Sequence, residues 1–121
     1  GCRYVYLDVG TNIGVQVRKL FEPELYPDAA VLPRFDKFFG PPATRKQPAV
    51  LSGLCAFGFE PNRNHTRRLQ GLQECYRRMG WRVHFFTETA ASNIDKARVP
   101  FYSDGAAKKN EWGTSIKDWK E

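Results

Sequence analysis

No stretch of this 121-residue chain reaches the roughly 18 consecutive apolar residues that a membrane-spanning helix requires, so none is expected. Cysteine is scarce: Cys2, Cys55 and Cys75, with no C-x-x-C pair among them. That spacing does not fit a zinc framework. An odd count in a short chain also speaks against a disulfide framework. Cys75 falls on the apolar stripe of an expected helix and is read as a buried thiol. A secretory leader pattern is missing too, because Gly1-Cys2-Arg3 runs straight into an apolar strand. A chain that enters a core strand at its third residue is expected to be part of something longer. Nothing in the composition marks a compartment or an oligomeric state.

What is present, 41% hydrophobic and 26% charged residues, fits one globular domain with a modest core. Acids are outnumbered, 13 against 19 Lys plus Arg, for a formal charge of +6. The surplus gathers at Arg63, Arg67, Arg68, Arg77, Arg78 and Arg82, with Glu74 the one acid in that stretch. One reading is a patch for nucleic acid or an acidic partner. The other is a solvated helix face. Aromatic residues do not alternate with these arginines as a stacking platform requires, which favours the solvated face over a nucleic-acid surface. Asn64-His65-Thr66 matches a glycosylation sequon. It opens an expected helix, and such triplets are common by chance, so it is read as accidental.

Along the chain, Tyr4–Val9 is nearly all apolar and rich in β-formers. Uninterrupted apolarity predicts a strand covered on both faces, as in a parallel sheet. After the turn at Gly10-Thr11-Asn12, the residues Ile13, Val17, Leu20 and Phe21 form one helical stripe, which Glu22-Pro23 ends. Six of the eight prolines then fall between Glu22 and Leu51. This predicts a long irregular insertion, with a helical turn near Arg34–Phe39, flanking the site as a lid. A second strand follows at Leu54–Phe59. A second helix runs from about Asn64 to Met79, with Leu69, Leu72, Cys75 or Tyr76, and Met79 on one face. Asn62 or Asn64 can cap it and Gly80 can end it. A third strand is Val83–Thr87. The polar remainder is expected to hold a hairpin strand at Val99–Ser103, a Lys/Gly-rich loop and an amphipathic tail with Trp112 and Trp119. The order βαβαβ is half of a doubly wound parallel α/β fold, a Rossmann-like half with right-handed crossovers.

Open α/β sheets bind ligands beyond the carboxyl ends of their strands. The first strand ends in Asp8-Val9-Gly10-Thr11-Asn12-Ile13-Gly14. Gly10 allows close approach of a ligand and Gly14 close helix–strand packing. A dinucleotide fingerprint would read G-x-G-x-x-G, but Asp8 stands where its first glycine would be. A carboxylate there repels a pyrophosphate and suits a cationic group. S-adenosylmethionine carries an ammonium and a sulfonium and no phosphate, so the substitution favours a methyl donor over a nicotinamide cofactor. Glu60, at the second strand end, can accept hydrogen bonds from both hydroxyls of a ribose. It lies much further from Gly14 than the usual spacing of about 20 residues, and the proline-rich insertion accounts for the excess. Glu88-Thr89-Ala90-Ala91-Ser92, after the third strand, is small and polar, suited to an adenine edge. Each residue also has a plainer reading. Asp8 could cap its own turn, Asn12 could be only a helix N-cap, and Glu60 could be a helix-start acid. His65 and His84 are isolated and receive no catalytic role.

These motifs resemble those of the FkbM-type S-adenosylmethionine-dependent methyltransferases. The resemblance rests on Tyr6–Gly14 and on Phe57-Gly58-Phe59-Glu60-Pro61-Asn62. It is looser over Phe85–Ser92 and over Phe101-Tyr102-Ser103-Asp104 with Trp112-Gly113-Thr114-Ser115. It implies a seven-stranded methyltransferase sheet and O-methyl transfer to a sugar or small metabolite. It also implies that Asp8, Gly10, Asn12 and Gly14 contact the methionine part of the cofactor. Glu60 would hold the ribose, and Thr89 and Ala90 would approach the adenine. Thr11, Pro61 and Asn62 belong to the same motifs and complete the cofactor-binding set. The family continues into a strand ending in an Asp-x-Glu-Gly type motif, which this chain lacks. The chain therefore reads as a cofactor-binding half, with no general base named. Its first strand would be an open sheet edge. A non-catalytic nucleoside-binding module and a basic nucleic-acid-binding domain are the alternatives.

Overall fold

Tyr4–Val9 forms β1, Leu54–Glu60 forms β2 and Arg82–Thr87 forms β3, each rich in the β-branched and aromatic residues that pack on a pleated surface. The computed structural model describes residues 1–93 together with Arg98 and Pro100. The hairpin, loop and tail expected from Val99 onward lie outside the described residues. The three strands pair in parallel in the order β1-β2-β3, an α/β arrangement compatible with a Rossmann-like half. In register, Leu7 faces Phe57 and Phe57 faces His84, while Asp8 faces Gly58.

Helix α1, Val15–Phe21, and helix α5, Thr66–Arg78, both supply buried side chains to one core. Val17, Leu20, Phe21, Leu69 and Tyr76 pack there with Ala56, Val83 and Phe85 of the sheet. The strand order advances in one direction while both helices stay on the same face, so the two crossovers share one hand. That arrangement corrects the expectation that β1 is covered on both faces. Its side chains alternate, with Asp8 buried but Val5, Leu7 and Val9 50%, 60% and 66% exposed. A doubly wound sheet gains its second helical layer only where the strand order reverses, and these three strands do not reverse. An uninterrupted apolar run looks the same in either case. β1 is an edge strand of the described sheet, as expected.

The proline-rich stretch is not irregular. A 3₁₀ turn at Pro23–Leu25 leads to α2, Leu32–Phe39, then α3, Pro42–Arg45, and α4, Ala49–Ser52. Prolines that read as helix breakers sit in the first helical positions, where the missing N–H costs nothing. The stretch is not a lid over the strand ends either. Phe35 of α2 meets Tyr6 edge-on at 5.3 Å, and Phe39 meets both Tyr4 and Tyr6, so α2 is part of the layer beneath β1. Arg45, with no exposed surface, donates from Nε to the Leu20 carbonyl and from Nη1 to Asp36 and to the Gly40 carbonyl.

Two further readings change. Cys75 is exposed, because Tyr76 rather than Cys75 continues the stripe from Leu69 and donates its hydroxyl to Glu22 on the far side of the core. Met79 is also exposed, since the chain has already left the core at the end of the helix. The odd cysteine count hid a disulfide: Cys2 and Cys55 are bonded, 5.7 Å apart at Cα. The main chain of Arg3 and Tyr4 donates to the Gly53 carbonyl, which brings Cys2 beside the start of β2. Sequence spacing carries no trace of that proximity. Closing so long a loop limits the unfolded chain by about 4 kcal/mol in the chain-entropy treatment.

Candidate functional site

The β1 strand ends at a turn that needs left-handed backbone three times, at Gly10, Asn12 and Gly14 (φ 75°, 52° and 84°). Asparagine is among the few residues with a side chain that adopt this conformation readily. The glycines differ in what surrounds them. A Cβ on Gly14 would strike Leu72 of α5 at 2.8 Å, so this glycine serves close packing. A Cβ on Gly10 would meet nothing within 4 Å, so the backbone there faces open space. Helix α1 begins only at Val15, with Gly14 at its N-cap position, which removes the reading of Asn12 as the N-cap.

The middle strand ties the three loops together. The Phe59 carbonyl accepts from the N–H groups of Gly10 and Thr11, at 2.9 and 3.0 Å. The Glu60 carbonyl accepts from Thr89 N–H at 3.2 Å. The Glu60 carboxylate is buried and spans two loops. One oxygen accepts from Asn12 N–H at 2.6 Å and the other from Asn62 N–H at 2.9 Å. Each carboxylate oxygen has a second lone pair, so these bonds leave acceptor capacity for ligand hydroxyls. Asn62, buried, accepts at its Oδ1 from Asn64 N–H at 3.0 Å and so caps the 3₁₀ turn Arg63–His65; neither asparagine caps α5 itself, whose N-cap position is His65, because the 3₁₀ turn comes first. Pro61 is half-buried between Glu60 and Asn62. Thr89 is exposed, donates its hydroxyl to the Thr87 carbonyl at 2.9 Å, and precedes the half-buried Ala90.

Asp8 is buried at the end of β1 and accepts from the Thr11 hydroxyl at 2.6 Å. Its turn-capping reading is therefore real. Burial pushes its carboxyl above the ordinary range, while the Thr11 hydrogen bond pulls it back in part. Tyr6, two residues earlier on the same face, is pushed up to about 12 by burial and by the Asp8 charge. Gly58 makes room for this cluster, because a Cβ there would lie 2.6 Å from Phe85 and 3.0 Å from the Thr11 hydroxyl. The sequence marks Gly58 only as part of a motif. Its signal is a glycine inside a strand, which indicates close approach of another group.

A raised carboxyl pKa means that Asp8 holds its proton more tightly in the folded than in the unfolded chain. The stability this contributes is full below the ordinary aspartate pKa, near 3.9, and is lost as pH rises through the folded value. Asp8→Asn keeps an acceptor for Thr11 and does not titrate. It is expected to be more stable than the parent at neutral pH, with the difference vanishing in acid. Urea unfolding at neutral pH and near pH ~3.5 measures this, and an Asp8→Asn protein less stable than the parent at neutral pH would contradict it.

The site thus gathers Asp8, Gly10, Thr11, Asn12, Gly14, Glu60, Asn62 and Thr89 at one end of the sheet. The basic stretch starts beside this cluster, at Arg63, and continues along α5. Arg77 and Arg78 share Glu74, which both hold in salt bridges. An open pocket of about 390 Å³ lies elsewhere, at the amino-terminal end of β3, lined in part by Gln73, Arg77, Trp81 and His84. No helix among the described residues is long and apolar enough to cross a membrane. Searches of family models, curated proteins and solved structures find no match to this chain.

Proposed function

We propose that the chain is the cofactor-binding half of an S-adenosylmethionine-dependent methyltransferase. The observation that carries this reading is the pair of buried carboxylates, Asp8 and Glu60, at adjoining strand ends around the open Gly10 backbone. An acid held at that turn opposes a pyrophosphate and favours a sulfonium and an ammonium. Glu60 has acceptor capacity left for ribose hydroxyls, and Thr89-Ala90 stands where an adenine edge would approach. The motifs that resemble the FkbM-type enzymes are the ones that build this cluster. That resemblance makes O-methylation of a sugar or small metabolite the preferred reaction. Catalysis would come largely from aligning the acceptor oxygen with the sulfonium methyl.

Asp8 sets the expected pH response. A cationic cofactor stabilises its charged form, so affinity should fall as acid protonates it. Photolabelling with methyl-labelled S-adenosylmethionine tests the placement. Label should fall on Asp8–Gly14 and Glu60–Asn62, competed by S-adenosylhomocysteine and not by a nicotinamide dinucleotide. Gly10→Ala adds a left-handed alanine, costing about 1–2 kcal/mol of stability. Its methyl group enters the space that the cofactor would occupy. Affinity for S-adenosylmethionine should fall about tenfold, equivalent to about 1.4 kcal/mol. Unchanged affinity in a folded Gly10→Ala protein would put the cofactor elsewhere. A non-catalytic nucleoside-binding module would share this site, and an assay for methyl transfer separates the two readings.

A further inference from the structure

We propose that Asn64 is an N-glycosylation site, and that the protein matures in an oxidising, glycosylating compartment. Two independent features meet at this point. The first is the sequon Asn64-His65-Thr66, the only N-x-S/T triplet in the chain, with Arg67 rather than proline after it. The second is the Cys2–Cys55 disulfide. Disulfides form and persist in the secretory lumen and outside the cell, and are rare where glutathione keeps thiols reduced. The disulfide places the chain where a sequon can be used, and Asn64 is accessible: it is exposed, on the 3₁₀ turn Arg63–His65 between β2 and α5. Asn64 N–H bonds to the Asn62 side chain, a contact made through the backbone.

In the transfer, Asn64 Nδ2 attacks the anomeric carbon of a lipid-diphosphate-linked oligosaccharide. A C–N bond forms, the C–O bond to the diphosphate breaks, the lipid diphosphate leaves, and Nδ2 gives up one proton. The folded state also dictates timing. Thr66 Oγ1, the hydroxyl through which a sequon is read, is buried without a partner in the fold, so the turn presents Asn64 but conceals its reading group. Transfer therefore precedes folding of the β2–α5 connection. A glycan at this position stands at the rim of the carboxyl-terminal sheet end, four residues past Glu60. S-adenosylmethionine carries a permanent charge, so a site in such a lumen would depend on carrier-mediated delivery.

The test uses the full-length protein from the cells that make it. Peptide N-glycosidase digestion in heavy-oxygen water should convert Asn64 to labelled aspartate, and should increase mobility on a gel. Asn64→Gln and Thr66→Ala, expressed in the same cells, should both lose the mobility change, and Thr66→Ser should restore it. Unreduced peptide mapping should recover Cys2 joined to Cys55. Unreduced, folded protein with Asn64 unmodified would overturn the proposal. So would reduced Cys2 and Cys55 in freshly isolated protein, or a glycan that persists in Asn64→Gln. Refolded, unglycosylated chain offered to the transferase should remain unmodified, while the denatured chain is modified. Equal modification of both would overturn the timing.

Discussion

Glu60→Ala is expected to lower affinity for S-adenosylmethionine by about a hundredfold, equivalent to about 2.7 kcal/mol. The same change should destabilise the fold by about 2–4 kcal/mol, because two buried N–H groups lose their acceptor. Those groups belong to Asn12 and Asn62, one in each loop that flanks the site. One carboxylate would then serve two roles: it holds the loops in register, and in the proposed site it would offer lone pairs to a ribose. Measurement separates them. A stability loss with unchanged affinity would make Glu60 a strut only. Losses in both, with affinity falling further than the folded fraction explains, are what the proposed site requires. Glu60→Gln should fall between, since the amide keeps one acceptor and turns a donor toward the other N–H.

Arg45→Ala is the second large effect, expected to cost about 3–5 kcal/mol of folding stability. The guanidinium is wholly buried and holds the Leu20 carbonyl at 2.8 Å and the Gly40 carbonyl and Asp36 each at 2.5 Å. Its removal leaves two inward carbonyls without a donor, an unfilled space, and α2 no longer tied to the end of α1. For a domain of about this size, that is a fall in melting temperature of roughly 15–30 °C. Arg45→Lys should recover less than half, since an ammonium cannot match the geometry of the guanidinium fork. A melting temperature within a few degrees of the parent would show that the proline-rich layer is not anchored by Arg45. The effect should leave the affinity of the folded fraction unchanged, because Arg45 lies in the layer under β1 and not at the strand ends.

These two residues also mark what the sequence made legible. The position of Glu60 was legible: it follows an apolar run, precedes a proline, and stands at the end of β2. The three strands and α5 were legible for the same reason, as period and composition agree in each. Arg45 was not. It sits among prolines that read as breakers, and nothing local shows that a charged residue will be the most buried side chain of its segment. The Cys2–Cys55 bond and the bare face of Val5, Leu7 and Val9 were hidden because both depend on which strands lie side by side, and in what order. Gly58 lies between these cases. A glycine inside a strand signals close approach, but not that Thr11 and Phe85 are the groups approaching.

In the proposed site, the Asp8–Gly14 turn and Glu60 together bind a sulfonium nucleoside. Titration calorimetry of S-adenosylmethionine and S-adenosylhomocysteine against the folded, full-length protein tests it most directly. Saturable one-to-one binding of both is expected, in the roughly micromolar range, weakened by Glu60→Ala and by Gly10→Ala and unaffected by excess nicotinamide dinucleotide. Absence of binding by either nucleoside, in protein shown to be folded, would contradict it.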